Sequence, residues 1–284
     1  GSVLAATPVS ASERIAAGGA RLSRVERFHV RFIERSLEPG WLDRSLRWCQ
    51  RHVGSTWIHL ATRRLLHVFG TEELPAFDPA RSYLVVANHR SFFDLYVITT
   101  VLVRRGLPHR ILFPVRSEFF YDRLLGFAVN GIMSFFAMYP PIFRQREKLA
   151  LNLTSLDALA SRLQRGGIFA GMHPEGTRNR GEDPYALLPA QRGVGRLVHQ
   201  SRVTVIPAFV NGLGNALGPQ VRGGLNGRGT PICVVFGAPV PLDDLLAEPG
   251  SMRVHRAVSE RLLSAVAALG ERERSHRAAL RQRP

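Results

Sequence analysis

Residues Tyr83 to Tyr96 read YLVVANHRSFFDLY. The run Tyr83–Ala87 is short and apolar, as a buried strand is. It breaks at Asn88-His89, and the apolar residues that follow fall at helical steps. His89 and Asp94 lie five residues apart across the break. On one continuous helix that offset turns about 500° and leaves the side chains about 140° apart. The two meet only if His89 precedes the helix, on a strand-to-helix turn. Ser91-Phe92-Phe93-Asp94 has the S-x-x-D form of a capping box, which starts the helix near Ser91. His89 then sits at the C-terminal end of a strand, where α/β sheets carry their sites. Two readings stand at this point. Asp94 caps the helix and His89 fills a turn, or His89 is a base and Asp94 orients it.

Beyond residue 80 short apolar runs alternate with helical patterns. The runs are Tyr83–Ala87, Arg110–Val115, Gly167–Gly171, Val203–Val210 and Ile232–Phe236. Helical patterns fall near residues 92–105, 118–130, 146–165 and 190–200. In the third, Leu149, Leu153, Leu156, Ala160 and Leu163 form one stripe, and Gly166-Gly167 ends it. The alternation predicts an α/β domain with a central, largely parallel β-sheet flanked by helices. The chain of 284 residues divides into a flexible start (1–20), a helical segment (21–70), the α/β domain (71–270) and a basic tail that frays (271–284). In the helical segment Leu42, Leu46, Cys49, Val53, Trp57 and Leu60 recur at three- and four-residue steps, with Arg44, Arg47, Arg51, Arg63 and Arg64 mostly elsewhere. Such a helix either packs on its own domain or lies on an anionic membrane surface.

The formal charge is +16, and nearly all of the basic charge is arginine, since Lys148 is the only lysine. That field attracts polyanions: nucleic acid, anionic lipid or phosphate-bearing substrates. Cys49 and Cys233 form neither a C-x-x-C nor a disulfide framework. No charged and then apolar leader is read at the start. The longest uncharged run, LLGFAVNGIMSFFAMYPPIF from Leu124 to Phe143, holds Asn130, Gly131, Ser134 and Pro140-Pro141, so it reads as buried core or interfacial rather than spanning.

Two further stretches carry polar chemistry. GMHPEGTRNR, Gly171 to Arg180, follows a strand pattern. Arg178 suits a phosphate, because a guanidinium offers planar donors, and amides around Gly176 suit an anion nest. The other reading is a solvated loop. His173 has no metal-ligand spacing around it, and no metal is expected. In VIPAFVNG, Val205 to Gly212, Pro207 marks a strand edge or a bulge.

Taken in order, N-H-x-x-x-x-D (Asn88, His89, Asp94), P-E-G-T-R (Pro174, Glu175, Gly176, Thr177, Arg178) and V-I-P (Val205, Ile206, Pro207) resemble the glycerolipid acyltransferase family, over roughly residues 80–240. Each block alone is common, but the ordered set is specific. The resemblance implies transfer of an acyl chain from acyl-CoA or acyl carrier protein to a hydroxyl of a lysophospholipid. The default acceptor is 1-acylglycerol 3-phosphate; glycerol 3-phosphate and lyso-ornithine lipid are alternatives. It implies His89 as general base, Asp94 holding its tautomer, and the P-E-G-T-R block with Arg178 on the acceptor phosphate. Asn88, Pro174, Ile206 and Pro207 would shape the site. Arg144, with Arg146 as the alternative, and Arg116 match the family's other basic positions. The chain departs from the pattern in Phe143-Arg144-Gln145-Arg146, where the family has hydrophobic-Asp-Arg, and in His173, where the family usually has Phe. No cofactor is implied beyond the acyl donor. The helical segment would dock the domain on the cytoplasmic face of an anionic membrane. The reading from another class, a non-enzymatic basic membrane- or nucleic-acid-binding protein, lacks a reader motif, and no specific nucleic acid is expected. A serine hydrolase would need G-x-S-x-G, which the chain lacks.

Overall fold

The computed structural model of the protein describes residues 22–116, 121, 124–135, 137–142 and 150–282. The expected flexible start, Arg144 and Arg146 lie outside the described residues, and Arg116 is described only as the last backbone position of its strand.

Seven strands form one sheet in the order β1-β7-β6-β2-β5-β3-β4. They are β1 (Leu66–Phe69), β2 (Tyr83–Ala87), β3 (Arg110–Arg116), β4 (Met138–Ile142), β5 (Ile168–Met172), β6 (Thr204–Asn211) and β7 (Ile232–Phe236). Every neighbouring pair is parallel except β6 and β7. β2 lies between β5 and β6, so the chain leaves it toward one side of the sheet and later returns to the other. The crevice of an open α/β sheet opens at such a point, outside the strands' carboxyl ends. All five residues of β2 are buried, as expected for a strand covered on both faces.

Register shows which helix covers which face. Gly171 and Ile206 both pair with Val85, so they share a face, and Phe209, three residues beyond Ile206, points to the other. Helix α4 (Asp94–Arg104) covers the first face: a Cβ on Gly171 would lie 2.9 Å from Leu95, so only glycine permits this approach. Helix α10 (Met252–Arg281) covers the second, with Gly270 against the Phe209 ring. Its neighbours there include α7 (Arg192–Ser201), which in turn packs on α6 (Ala150–Arg165). Every residue of α4 from Asp94 to Val103 is buried, so it is a core helix, covered all round.

The N-terminal helices are α1 (Arg24–Ser36), α2 (Trp41–Cys49) and α3 (Ser55–Thr62). A full capping box of Ser23 and Glu26 starts α1. The expected continuous stripe over Leu42–Leu60 does not form. A π turn at Gln50–Gly54 inserts extra backbone between α2 and α3 and re-phases the faces. Leu46, Gly54, Ile58 and Ala61 face inward, while Val53 and Leu60 lie outside. Gln50 has a structural use: its side-chain amide donates to His109 O at 2.9 Å and accepts from Ile111 N at 3.0 Å. The helices end at Thr62, and the residues expected to continue them supply edge strand β1, so the sheet begins before residue 71.

Other expectations shift as well. The run Leu124–Phe143 divides into α5 (Leu124–Ser134) and the edge strand β4, where prolines are tolerated because one side needs no donors. Pro207 is neither at an edge nor in a bulge. It lies in interior strand β6, and its missing N–H falls one residue before the first β6–β7 pair, Ala208 with Phe236. The C-terminal tail does not fray over 271–281, because α10 continues through it with Glu273 and Arg277 buried. Helix α8 (Leu217–Asn226), which packs on α3, and the short α9 (Asp243–Ala247) complete the domain.

Candidate active site

The turn after β2 is built around the Asp94 carboxylate, which is 1% exposed. Its Oδ2 accepts from Arg90 N at 2.7 Å and Ser91 N at 2.8 Å. The same oxygen lies 3.2 Å from His89 Nδ1. A carboxylate oxygen accepts, so Nδ1 carries the proton and Nε2 is the basic nitrogen. The His89 side chain is 20% exposed, open enough to meet a substrate. Burial pushes the Asp94 carboxyl up to about 6, against the pull of its backbone donors.

Only half of the expected capping box is present. Asp94 receives the Ser91 amide, but Ser91 Oγ accepts from Phe93 N at 3.1 Å and donates to Gly214 O at 2.7 Å. Regular helix therefore starts at Asp94, three residues after Ser91. Ser91 is buried and committed to these bonds, so it is no candidate nucleophile.

Glu175 does not face an acceptor, contrary to the expectation for its block. It is 1% exposed, and its two oxygens accept from His89 N and Leu188 N, each at 2.8 Å. Burial raises its carboxyl above the ordinary range. Glu175 thus ties the β5 loop to the backbone of His89, and Asn179 N adds a bond to His89 O at 2.7 Å. Pro174 is buried, and its carbonyl accepts from Gln191 N at 2.8 Å. Gly176 turns the loop with φ +67° and is exposed. Thr177 and Arg178 are half-buried at the same rim. Asn88 is fully buried and bonds Val210 N and O, both at 2.8 Å, locking the ends of β2 and β6 together. Ile206 and Pro207 are buried deeper in β6, level with Val85 and Val86.

No sequence pattern pointed to Asn215. Its Oδ1 accepts from Phe92 N at 3.2 Å and Arg178 Nη1 at 3.1 Å, so it joins the His89 turn to the P-E-G-T-R loop. Arg90 also ties the two, donating to Gly181 O at 2.7 Å and Asp183 O at 3.3 Å.

His173 stacks on His89, with ring centroids 3.7 Å apart and planes 5° from parallel. His89, Asp94 and His173 each bring a ligand-type atom within 4.8 Å of the others. Imidazole lone pairs lie in the ring plane, however, and two parallel rings stacked face to face cannot aim theirs at one ion. The cluster fits a stacked base better than a metal centre. It can take a proton at His89 Nε2 and hold the resulting cation against the Asp94 carboxylate.

Comparison with known proteins identifies the family and the fold. Residues 66–211 match the family model described as Acyltransferase. The mouse 1-acyl-sn-glycerol-3-phosphate acyltransferase alpha is 29% identical over 137 residues, which are 48% of this chain and 42% of that protein. The human 1-acyl-sn-glycerol-3-phosphate acyltransferase beta is 30% identical over 128 residues, 45% of this chain and 41% of that protein. The match thus spans less than half the length of these curated relatives. The crystal structure of the 1-acyl-sn-glycerophosphate (LPA) acyltransferase PlsC from Thermotoga maritima shares the fold at a TM-score of 0.51, with 20% identity, covering 85% of this chain and 88% of that one. With the family match spanning β1 to the end of β6, and so both halves of the His89–Asp94 turn and the loop tied to it, this chain belongs to the acyltransferase family.

Proposed function

We propose that the protein moves a fatty acyl chain from acyl-CoA or acyl carrier protein to a hydroxyl of a lysophospholipid, 1-acylglycerol 3-phosphate first among them, giving phosphatidic acid. The observation that carries this is the His89–Asp94 pair at the end of β2, with the proton on Nδ1. The acceptor hydroxyl gives its proton to Nε2 as its oxygen attacks the thioester carbonyl. The tetrahedral intermediate then expels the thiolate, which takes the proton back from the imidazolium. Asp94 stabilises the imidazolium, and no acyl-enzyme forms. Arg178 takes the acceptor phosphate in this reading, and its bond to Asn215, which holds it at the loop rim, supports that role. With purified protein, oleoyl-CoA and lysophosphatidic acid in mixed micelles, His89→Ala should lower kcat by at least ~10²-fold. Undiminished transfer by that variant would sink the mechanism.

The surface supports membrane docking. Trp41 (73% exposed), Trp48, Leu124, Leu125 and Ile132 stand outside on α2 and α5. α5 joins α1 through Phe127, which packs on Phe28 and Phe32. Arg24, Arg27, Arg31 and Arg35 line a groove along α1. Among the described residues no helix is long and apolar enough to cross a membrane. Exposed apolar side chains and arginines of this kind suit an anionic leaflet, the first in the interface and the second at the headgroups. Trp41→Ser with Trp48→Ser should weaken co-sedimentation with phosphatidylglycerol vesicles; unchanged sedimentation would remove the docking role.

A further inference from the structure

We infer that His173 is a positioning residue for acyl transfer, a flat ring anchored to β2 that fixes the plane of His89 and so aims its Nε2. The inference rests on reading His89 as the base.

The contact from His89 Nδ1 to Asp94 Oδ2, 3.2 Å long, shares that oxygen with two backbone amides at 2.7 and 2.8 Å. It sets where Nδ1 lies, and any twist of the ring about its Cβ–Cγ bond moves Nε2. The His173 face, with ring centroids 3.7 Å apart and planes 5° from parallel, constrains that twist directly.

His173 is itself held. Its Nδ1 lies 3.0 Å from Ala87 O, and a carbonyl only accepts, so Nδ1 carries the proton. Ala87 ends β2 two residues before His89, so the anchor and the ring it steadies ride on one strand end. On the other side, His173 continues directly from β5 into buried Pro174. The stack therefore bridges two hydrogen-bonded neighbouring strands, each fixed by the sheet. Charge agrees with this role. Burial and the adjacent His89 hold His173 down to about 3, so it stays neutral while His89 becomes imidazolium, and the two rings do not repel. A charged or absent neighbour would not serve in this way.

Two substitutions separate a flat face from mere filling. Phe keeps a flat ring without the N–H; Leu fills space with neither. His173→Phe should keep kcat within about threefold, whereas His173→Leu should lose about 10- to 100-fold in kcat with little change in KM, as misaimed reacting groups do. Equal losses in both variants, or a change confined to KM, would overturn the inference. Thermal melts of both confirm folding. A readout without substrate runs alongside. The ring protons of His89, assigned with His89→Ala, should be shifted upfield by the stacked ring in wild type and His173→Phe. They should return toward ordinary positions in His173→Leu. Resonances unmoved by leucine would mean that no stack exists, and the inference falls. A fully active His89→Ala enzyme would sink the functional reading instead, while the resonances still decide the stack.

Discussion

Two carboxylates are buried at the ends of neighbouring strands, and the protein treats them differently. Glu273, fully buried near the end of β6, meets Arg277 Nε at 2.7 Å and takes the Tyr185 hydroxyl at 2.7 Å. Arg277 also donates to Asn211 O and Pro231 O. This carboxylate faces a cation that never loses its charge. Asp94, at the end of β2, bonds an ionisable imidazole and backbone amides, and burial raises its carboxyl to about 6. The first arrangement fixes α10 to the sheet. The second leaves charge free to appear on the histidine during a reaction. Glu175 is a third case, answered by backbone amides alone.

The largest stability effect should come from breaking the fixed pair. Arg277→Met leaves Glu273 buried and unpaired, and about 3–5 kcal/mol should be lost in urea unfolding. Adding Glu273→Leu should restore most of it. If the single variant is as stable as wild type, the contrast with Asp94 disappears. A smaller effect is expected at Glu175. Its replacement by Ala orphans the His89 and Leu188 amides, at about 1–3 kcal/mol each. Glu175→Gln, which keeps one acceptor, should recover part of that stability. Equal stability of the Ala variant and wild type would show that water takes over both bonds.

Much of the active turn was legible in the sequence. The five-residue spacing forced His89 off the helix, and the structure brings its Nδ1 to Asp94. The strands from β2 onward followed from short apolar runs, except β4, whose Pro140-Pro141 reads as a break unless the strand is known to be an edge. Other features depend on tertiary context. The π turn at Gln50–Gly54 is invisible to a 3.6-residue period, so the stripe through Val53 and Leu60 pointed the wrong way. Glu273 and Arg277 look like an ordinary solvated i,i+4 pair in a basic helix, and only packing against β6 buries them. The P-E-G-T-R motif drew attention to Glu175, but its acceptors point inward, which no motif states. Asn215 joins two loops distant in sequence and carries no pattern at all.

Asp94 serves His89 at a cost to the fold, and one variant shows whether it does: Asp94→Asn, followed by melting and by acyl transfer across pH. A carboxyl raised from 3.8 to about 6 is destabilised in its ionised form by on the order of 3 kcal/mol when folded. Its contribution to stability is intact below pH 3.8 and is lost as pH rises through about 6. Asparagine escapes that loss. The variant should therefore melt with wild type near pH 3.5, melt above it at pH 7.5, and transfer acyl groups at least ~10²-fold more slowly. Wild-type transfer should itself fall as pH drops through about 6, where Asp94 takes up a proton. An Asn variant as active as wild type would mean that His89 works without Asp94, and one less stable at pH 7.5 would mean that the buried carboxylate costs the fold nothing.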